Sequence, residues 1–484
     1  MNLFIVLYLL GKLSLACAGA ILVPLVMAFY LGDTCLEAFA ISAVLAMSIG
    51  YIFLHYGNSN DVHITFREGV AVVSGAWVLV SFLGAMPYYL SGSLDFISAI
   101  FESISGFTTT GATTITNIEV MAKSMLFWRS MTHWMGGIGI VVLFIAFLPN
   151  IGTGAVHMFN AEVTGPTDDR VVPRIRETSV ALCKIYIFFT VVQAALLFFA
   201  GMSFYDCINH AFSTIATGGF STYDNSLMHF NSPLIEGIIG VFMILAGGNF
   251  ALYFSVVQKG PKEFWRDTEF KVYICLVVIA TALVGLNIFY KMGFSGTESL
   301  RHSFFQVASI ISTTGFVSND FDVWPAFSKY ILVLLMFIGA CAGSTAGGIK
   351  VSRIVILYKL TLAEIRHTIH PCMVTNISMN GKHVPDTVIS GIGRFFFLYM
   401  MLFAGLTLLL ASTGLSVTDS IGAIAATISS VGPALGVAGA TSTYASITPF
   451  GKTVICIAML LGRLELFTLL VLIRPEFWRS TRNW

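Results

Sequence analysis

Long apolar runs alternate with short polar connections along the whole chain. A run of about 20 apolar residues is enough for a helix to cross a bilayer. Such runs fall at roughly 3–31, 36–56, 68–91, 124–149, 180–204, 234–258, 271–293, 326–368 (interrupted), 387–412 and 447–473. The pattern predicts an all-α polytopic membrane protein. Shorter, mostly uncharged stretches lie between some of these runs, and four of them end in a small-residue strip closed by glycine. The strips are Thr108-Thr109-Thr110-Gly111, Ala216-Thr217-Gly218-Gly219, Ser312-Thr313-Thr314-Gly315 and Ser429-Ser430-Val431-Gly432. Each is followed by another long apolar run.

Composition agrees. Of 484 residues, 56% are hydrophobic and 11% charged, against about a quarter charged in a soluble domain. Mean hydropathy is +0.84. The first run extends past Ala28 with no positive charge before it. A cleavable signal has an apolar core of only about 7–15 residues, so a retained helix is expected although Ser14-Leu15-Ala16-Cys17 resembles a lipoprotein cleavage site. A net charge of +1 gives no reason to expect a nucleic-acid partner.

The distribution of charge is more informative. Arg67, Arg170, Arg174, Arg176, Lys184, Lys259, Lys262, Arg266, Lys271, the basic residues from Lys350 to Lys382, Arg474, Arg479 and Arg482 lie on one set of connections. The set that carries the strips holds only Lys123, Arg129, Lys291, Arg301, Lys329 and Lys452. The positive-inside rule places the first set in the cytoplasm and the strips toward the outer face. Each strip must then enter and leave from one side, as a re-entrant loop. The eight cysteines include no CxxC pair and the histidines no HExxH, so neither a disulfide, a metal centre nor a zinc enzyme is expected.

Aligned on Gly111, Gly219, Gly315 and Gly432, the strips lie 108, 96 and 117 residues apart. Six residues before each glycine stand Ser105, Ser213, Ser309 and Ala426; an acid opens each short run, at Asp95, Asp206, Glu298 and Asp419. Those acids are expected to cap short helices whose partially negative C-terminal ends favour a cation. This repetition divides the chain into two extra N-terminal helices (1–66) and four units, 67–178, 179–269, 270–385 and 386–484. Irregular backbone at membrane depth is tolerated only where it is buried or lines water, a condition met by four strips sharing one pore. With carbonyl and hydroxyl oxygens and no carboxylate, the strips suit a weakly hydrated monovalent cation better than Mg²⁺ or Ca²⁺.

Two features break the repeat. The eighth run is interrupted at Gly339 and again at Gly343-Ser344-Thr345-Ala346-Gly347-Gly348-Ile349-Lys350. Gly costs about 1 kcal/mol relative to Ala in a helix, so an unwound stretch is expected. It is either a gate below the pore or a patch of small residues for close packing. It fails the P-loop pattern, since Ile349 follows Gly348 where Lys is required. Arg463 lies about 24 Å into the last run, where a charge normally faces a cavity or a partner. Glu465 and the carbonyls of 343–348 are the candidate partners, and snorkelling to the interface is the alternative.

Several of these segments resemble the Trk/Ktr/HKT potassium transporters. Ser105-Gly106-Phe107-Thr108-Thr109-Thr110-Gly111-Ala112-Thr113, Ala216-Thr217-Gly218-Gly219-Phe220-Ser221-Thr222, Ser312-Thr313-Thr314-Gly315-Phe316 and Val431-Gly432-Pro433 are similar to the four filter motifs. His133-Trp134-Met135-Gly136-Gly137, Gly247-Gly248-Asn249-Phe250-Ala251-Leu252, the 343–350 segment and Leu461-Gly462-Arg463 match the second-helix motifs. The two helices before the first unit point to the TrkH branch. The resemblance implies K⁺ as transported substrate, bound at the sixteen strip residues. It implies no cofactor and no catalytic residue on this chain, and a gate made of Gly343, Ser344, Thr345, Ala346, Gly347, Gly348, Lys350 and Arg463. It further implies a homodimer in a bacterial inner membrane, each protomer with its own pore, and a cytosolic nucleotide-binding TrkA-type ring docked on the basic face. Members with Ser in place of the first filter glycine tend to pass Na⁺, and Gly111 stands here. Ser430 and Ala434 depart from the Asn and Gly common in the fourth motif. An alternating-access cation-coupled symporter is the competing function, although it would predict two inverted halves. An intramembrane hydrolase lacks any nucleophile–base pair.

Overall fold

The computed structural model describes residues 1–57, 65–139, 172–373, 376–464 and 466–478. These residues are helical apart from turns, loops and one small hairpin, Ser378–Met379 against Lys382–His383. Among the described residues, six helices are long and apolar enough to cross a membrane, or up to eight counting two bent pairs. Leu3–Leu31 and Leu36–Tyr56 form the first pair, reversed at Gly32, whose φ of 66° favours glycine. Gly11 meets Gly50 where they cross, and Ser14 donates to the Ala46 carbonyl at 2.7 Å. Small residues allow this approach where lipid provides no hydrophobic drive.

Four times the chain then runs through a long helix, a short helix, a strip and a further helix. The long helices are Phe66–Leu90, Val172–Phe199, Thr268–Met292 and Asp386–Ala411. The short ones are Phe96–Phe107, Phe204–Ile215, Gly296–Ile311 and Val417–Ile428. After the strips come Lys123–Ile138, Pro233–Ala246, Ala326–Ile338 and Pro449–Arg463. A core built on the third and fourth units runs along these elements, and a second core joins the first unit to the N-terminal pair through Trp77 and Trp128.

Only one of the four acids is the cap itself. Asp95 accepts from Ser98 N, whereas Ser203, Ser295 and Ser416 cap the other short helices and put Asp206, Glu298 and Asp419 at the third helical position. Each of those serine hydroxyls also donates to its acid, at 2.6–2.8 Å. The shorter side chain reaches the free amides, and the acid adds its charge to the helix's positive end.

Two apolar runs are not single helices. The run 234–258 bends by 90° between Pro233–Ala246 and Phe250–Lys259. Asn249 starts the second half by accepting from the amides of Ala251 and Leu252. The run 447–473 bends by 118° after Arg463. The run expected over 124–149 is helical to Ile138, and 140–149, like Arg170, Glu465, Arg479 and Arg482, lie outside the described residues. The run 326–368 is interrupted as expected, its helices ending at Ile338 and resuming at Val351.

Candidate functional site: four strips, a loop and an arginine

Each strip begins as the C-terminal cap of its short helix. The amides of Thr110, Gly218, Thr314 and Val431 bond to the carbonyls of Ser105, Ser213, Ser309 and Ala426 at 2.7–2.9 Å. One residue earlier, the amides of Thr109, Thr217, Thr313 and Ser430 reach back to Gly106, Thr214, Ile310 and Thr427 at 3.0–3.2 Å. This is the Schellman pattern, and it explains why the position six before the glycine tolerates Ala426: the cap uses only its carbonyl, although in the third unit Ser309 Oγ also donates to the Phe316 carbonyl at 2.7 Å. The pattern needs a left-handed residue, and Thr109, Thr217, Thr313 and Ser430 take it at φ of 56°, 55°, 55° and 57°. Glycine would hold that conformation without strain, so the hydroxyl residues there indicate a use for their side chains.

The strip glycines close a ring. A Cβ on Gly111 would strike the carbonyl oxygen of Gly218, one on Gly219 that of Thr314, one on Gly315 that of Val431 and one on Gly432 that of Thr110. Each strip therefore abuts the next, and the fourth returns to the first. All four glycines have φ between 78° and 92°. On one side they line a common cavity of about 100 Å³ with Arg129 and Asp224 at its wall. At the first strip positions, Thr108 pairs with Thr110 at 2.8 Å, Ser312 with Thr314 at 2.7 Å, and Ser429 with the Tyr399 hydroxyl at 2.9 Å. Ala216 and Gly218 have no hydroxyl to pair.

On the other side the ring meets the interrupted segment. The Gly347 amide donates to Thr313 Oγ1 at 2.8 Å, Thr345 Oγ1 lies 3.2 Å from Thr217 Oγ1, and Gly347 has no room for a side chain against the Ser429 carbonyl and the Cβ of Ser430. Arg463 donates to Thr109 Oγ1 at 3.3 Å, completing the set of left-handed hydroxyl residues. It also donates to the Thr345 carbonyl at 2.8 Å and the Gly136 carbonyl at 2.6 Å. Of the partners expected for Arg463, the structure provides the 343–348 backbone.

The segment is stitched at both ends. Ile349, Lys350 and Val351 donate their amides to the carbonyls of Phe337, Ile338 and Ala340. Lys350 is buried in a left-handed conformation, its Nζ on the Ala346 carbonyl. Ser344 Oγ donates to Cys341 O at 2.6 Å, and Gly343 O accepts from Phe250 N at the 90° bend of the second unit. Strips, 343–350 and Arg463, read separately from the sequence, thus form one assembly.

Residues 36–480 match the family model described as TrkH, a cation transport protein. The chain belongs to the TrkH family. That is a family of transporters and not of enzymes. The chain is 38% identical over 480 residues to the Trk system potassium uptake protein TrkH of Salmonella typhimurium, covering 98% of both chains. It is 32% identical to the TrkG protein of Escherichia coli K12, covering 98% of this chain and 99% of that one. The crystal structure of the potassium transporter TrkH from Vibrio parahaemolyticus superposes with a TM-score of 0.91 at 32% identity, over 99% of this chain and all of that one.

Among the buried acids of this TrkH-family chain that the sequence pattern does not mark, Glu102 and Glu269 lie against this assembly. Glu102 lies within the first short helix, where a charge in an apolar run was a usable signal. Glu269 stands in the first turn of Thr268–Met292, a common place for an acid. Its Oε1 in fact accepts from Ala342 N at 2.7 Å and Ser352 N at 3.0 Å, bridging both flanks of the interrupted segment. Replacing Glu269 with Ala strands two buried amides at a cost of about 1–3 kcal/mol. Hydrogen–deuterium exchange at Ala342 and Ser352 is therefore expected to quicken by about tenfold or more, while Glu269→Gln, which keeps an acceptor oxygen, is expected to stay closer to wild type.

Proposed function

We propose that this chain takes up K⁺ across the bacterial inner membrane through a pore whose selectivity filter is the ring of four strips. The observation that carries the reading is the closed neighbour-to-neighbour contact of Gly111, Gly219, Gly315 and Gly432. Carbonyl and hydroxyl oxygens of the strips replace the water around a weakly hydrated cation, and the ends of the capped short helices add negative potential. K⁺ is the substrate, in keeping with the potassium uptake named for the relatives. The four units 67–178, 179–269, 270–385 and 386–484 surround the pore after two extra helices in 1–66. Each strip re-enters from the outer face, and the basic loops are cytoplasmic. Four strips repeated in one sense favour a pore over the two inverted halves of an alternating-access symporter.

The gate comprises 343–350 and Arg463, seated against the inner hydroxyls of the filter. The gate is released by a cytosolic nucleotide-binding ring of the TrkA type acting on a homodimer, each protomer carrying one pore. Deleting part of 343–348 is expected to leave a conducting pore with raised basal flux; a folded deletion variant that does not leak would reduce the segment to close packing. The direct test of the whole reading is ⁸⁶Rb⁺ uptake into proteoliposomes with and without competing Na⁺. Uptake that Na⁺ suppresses as well as K⁺ does would refute K⁺ preference.

A further inference from the structure

Behind the first two strips lies a charged network that the filter chemistry does not itself require. Arg129 Nε donates to Glu102 Oε1 at 2.7 Å, and both side chains are almost wholly buried, at 2% and 0% exposure. The same Glu102 accepts from Thr113 Oγ1 at 3.0 Å and from Thr114 N at 3.0 Å, two and three residues past Gly111. Arg129 Nη1 donates to the Ser221 carbonyl at 3.0 Å, two residues past Gly219. Its guanidinium lies 3.6 Å from the centre of the Phe220 ring, which stacks on His133 at 3.9 Å. Ser221 Oγ is 3.1 Å from His210 Nε2.

The position nine before each strip glycine holds Glu102, His210, Gln306 and Ala423. Only the first unit has a carboxylate there, and the network running from it through Arg129 and Ser221 ends on the corresponding residue of the second unit. The back walls of strips one and two are thereby tied together, while Gly111 is packed on the Gly218 carbonyl at the front. A buried ion pair is costly to desolvate and is weak evidence for stability. A planar, forked guanidinium that binds a carboxylate and a carbonyl together does set a distance.

We propose that Glu102 and Arg129 are specificity-determining positioning residues that fix the spacing of the first two strips and so set the preference for K⁺ over Na⁺. The proposal rests on the filter reading above. Neither is an ion ligand, since Glu102 is taken up by Arg129 and the strip and the Arg129 guanidinium at the cavity wall offers a cation no oxygen; both act through Thr113, Thr114, Phe220 and Ser221.

The test measures ⁸⁶Rb⁺ and ²²Na⁺ uptake into proteoliposomes for Arg129→Lys, Glu102→Gln and the double variant Glu102→Gln/Arg129→Gln, which removes both charges at once and spares the fold an unpaired one. The Rb⁺ to Na⁺ uptake ratio is expected to fall at least fivefold in each variant, with Rb⁺ uptake itself largely retained. The double variant is expected to fall no further than the worse single change, because the pair acts as a unit. A wild-type ratio in Arg129→Lys and in the double variant overturns the proposal. Gly111→Ser is run alongside. If it shifts the ratio while the pair variants do not, this inference alone fails; if it too is without effect, the filter reading has failed.

Discussion

Gly111→Ser is expected to raise Na⁺ permeation relative to K⁺ by about tenfold. The φ of 78° at Gly111 is unfavourable for any residue with a Cβ. The added atom would also land on the carbonyl oxygen of Gly218. Both strains are relieved only by moving the second strip's backbone or turning that carbonyl, and either change alters the oxygen cage of the proposed filter. A tenfold shift corresponds to about 1.4 kcal/mol, a modest part of the strain of one side chain forced into a backbone contact. The measurement is the Rb⁺ to Na⁺ uptake ratio in reconstituted vesicles, and an unchanged ratio would remove Gly111 from the filter.

Arg463→Ala is expected to raise basal cation flux by about a hundredfold. The guanidinium is held between the Gly136 carbonyl, the Thr345 carbonyl and Thr109 Oγ1, directly against the ring. A unit charge about 6 Å from a passing cation opposes it by about 3 kcal/mol at an effective dielectric near 20, close to a hundredfold in rate. Alanine removes that barrier and the donor that pins the Thr345 carbonyl. Arg463→Lys keeps the charge but cannot span three oxygens, so an intermediate flux is expected. Flux that falls, or does not change, in Arg463→Ala would show that Arg463 is not the barrier.

Much of this architecture was legible in the chain. The apolar runs marked the long helices within a few residues except at 180–204, where the helix is Val172–Phe199, because a lipid environment demands continuous apolar helices and leaves little latitude. The strips were visible because the capping geometry recurs four times and each copy is a local feature of a dozen residues. Where the reading went astray, the controlling contacts were not local. The acids were read as caps because Asp and Ser compete for the same amides, and which one wins depends on the entry angle of the chain. The run 234–258 reads as one helix by hydropathy. Its 90° bend arises where Gly247, Gly248 and Asn249 meet the interrupted segment of another unit.

Charged partners were the least legible. Arg129 reads as a surface cation near an outer loop, yet it is buried on Glu102, 27 positions away, and on Ser221, 92 positions away. Glu269 is held by two amides more than 70 positions distant. No periodicity records such pairs, since burial of a charge is decided by what packs over it.

The sequence by itself determined an all-helical membrane chain, four glycine-closed strips free of carboxylates, and two breaks in the repeat at 343–350 and Arg463. These follow from hydropathy, charge placement and short-range backbone preference, all of which act within a helix or a turn. Tertiary structure alone decided that each glycine abuts the next strip's carbonyl, that Thr109, Thr217, Thr313 and Ser430 turn toward the interrupted segment and Arg463, and that Glu102, Arg129 and Glu269 are buried where they are. Those outcomes depend on contacts between separate helices and strips, from 27 positions apart for Glu102 and Arg129 to more than 300 for Thr109 and Arg463, which spacing along the chain does not encode.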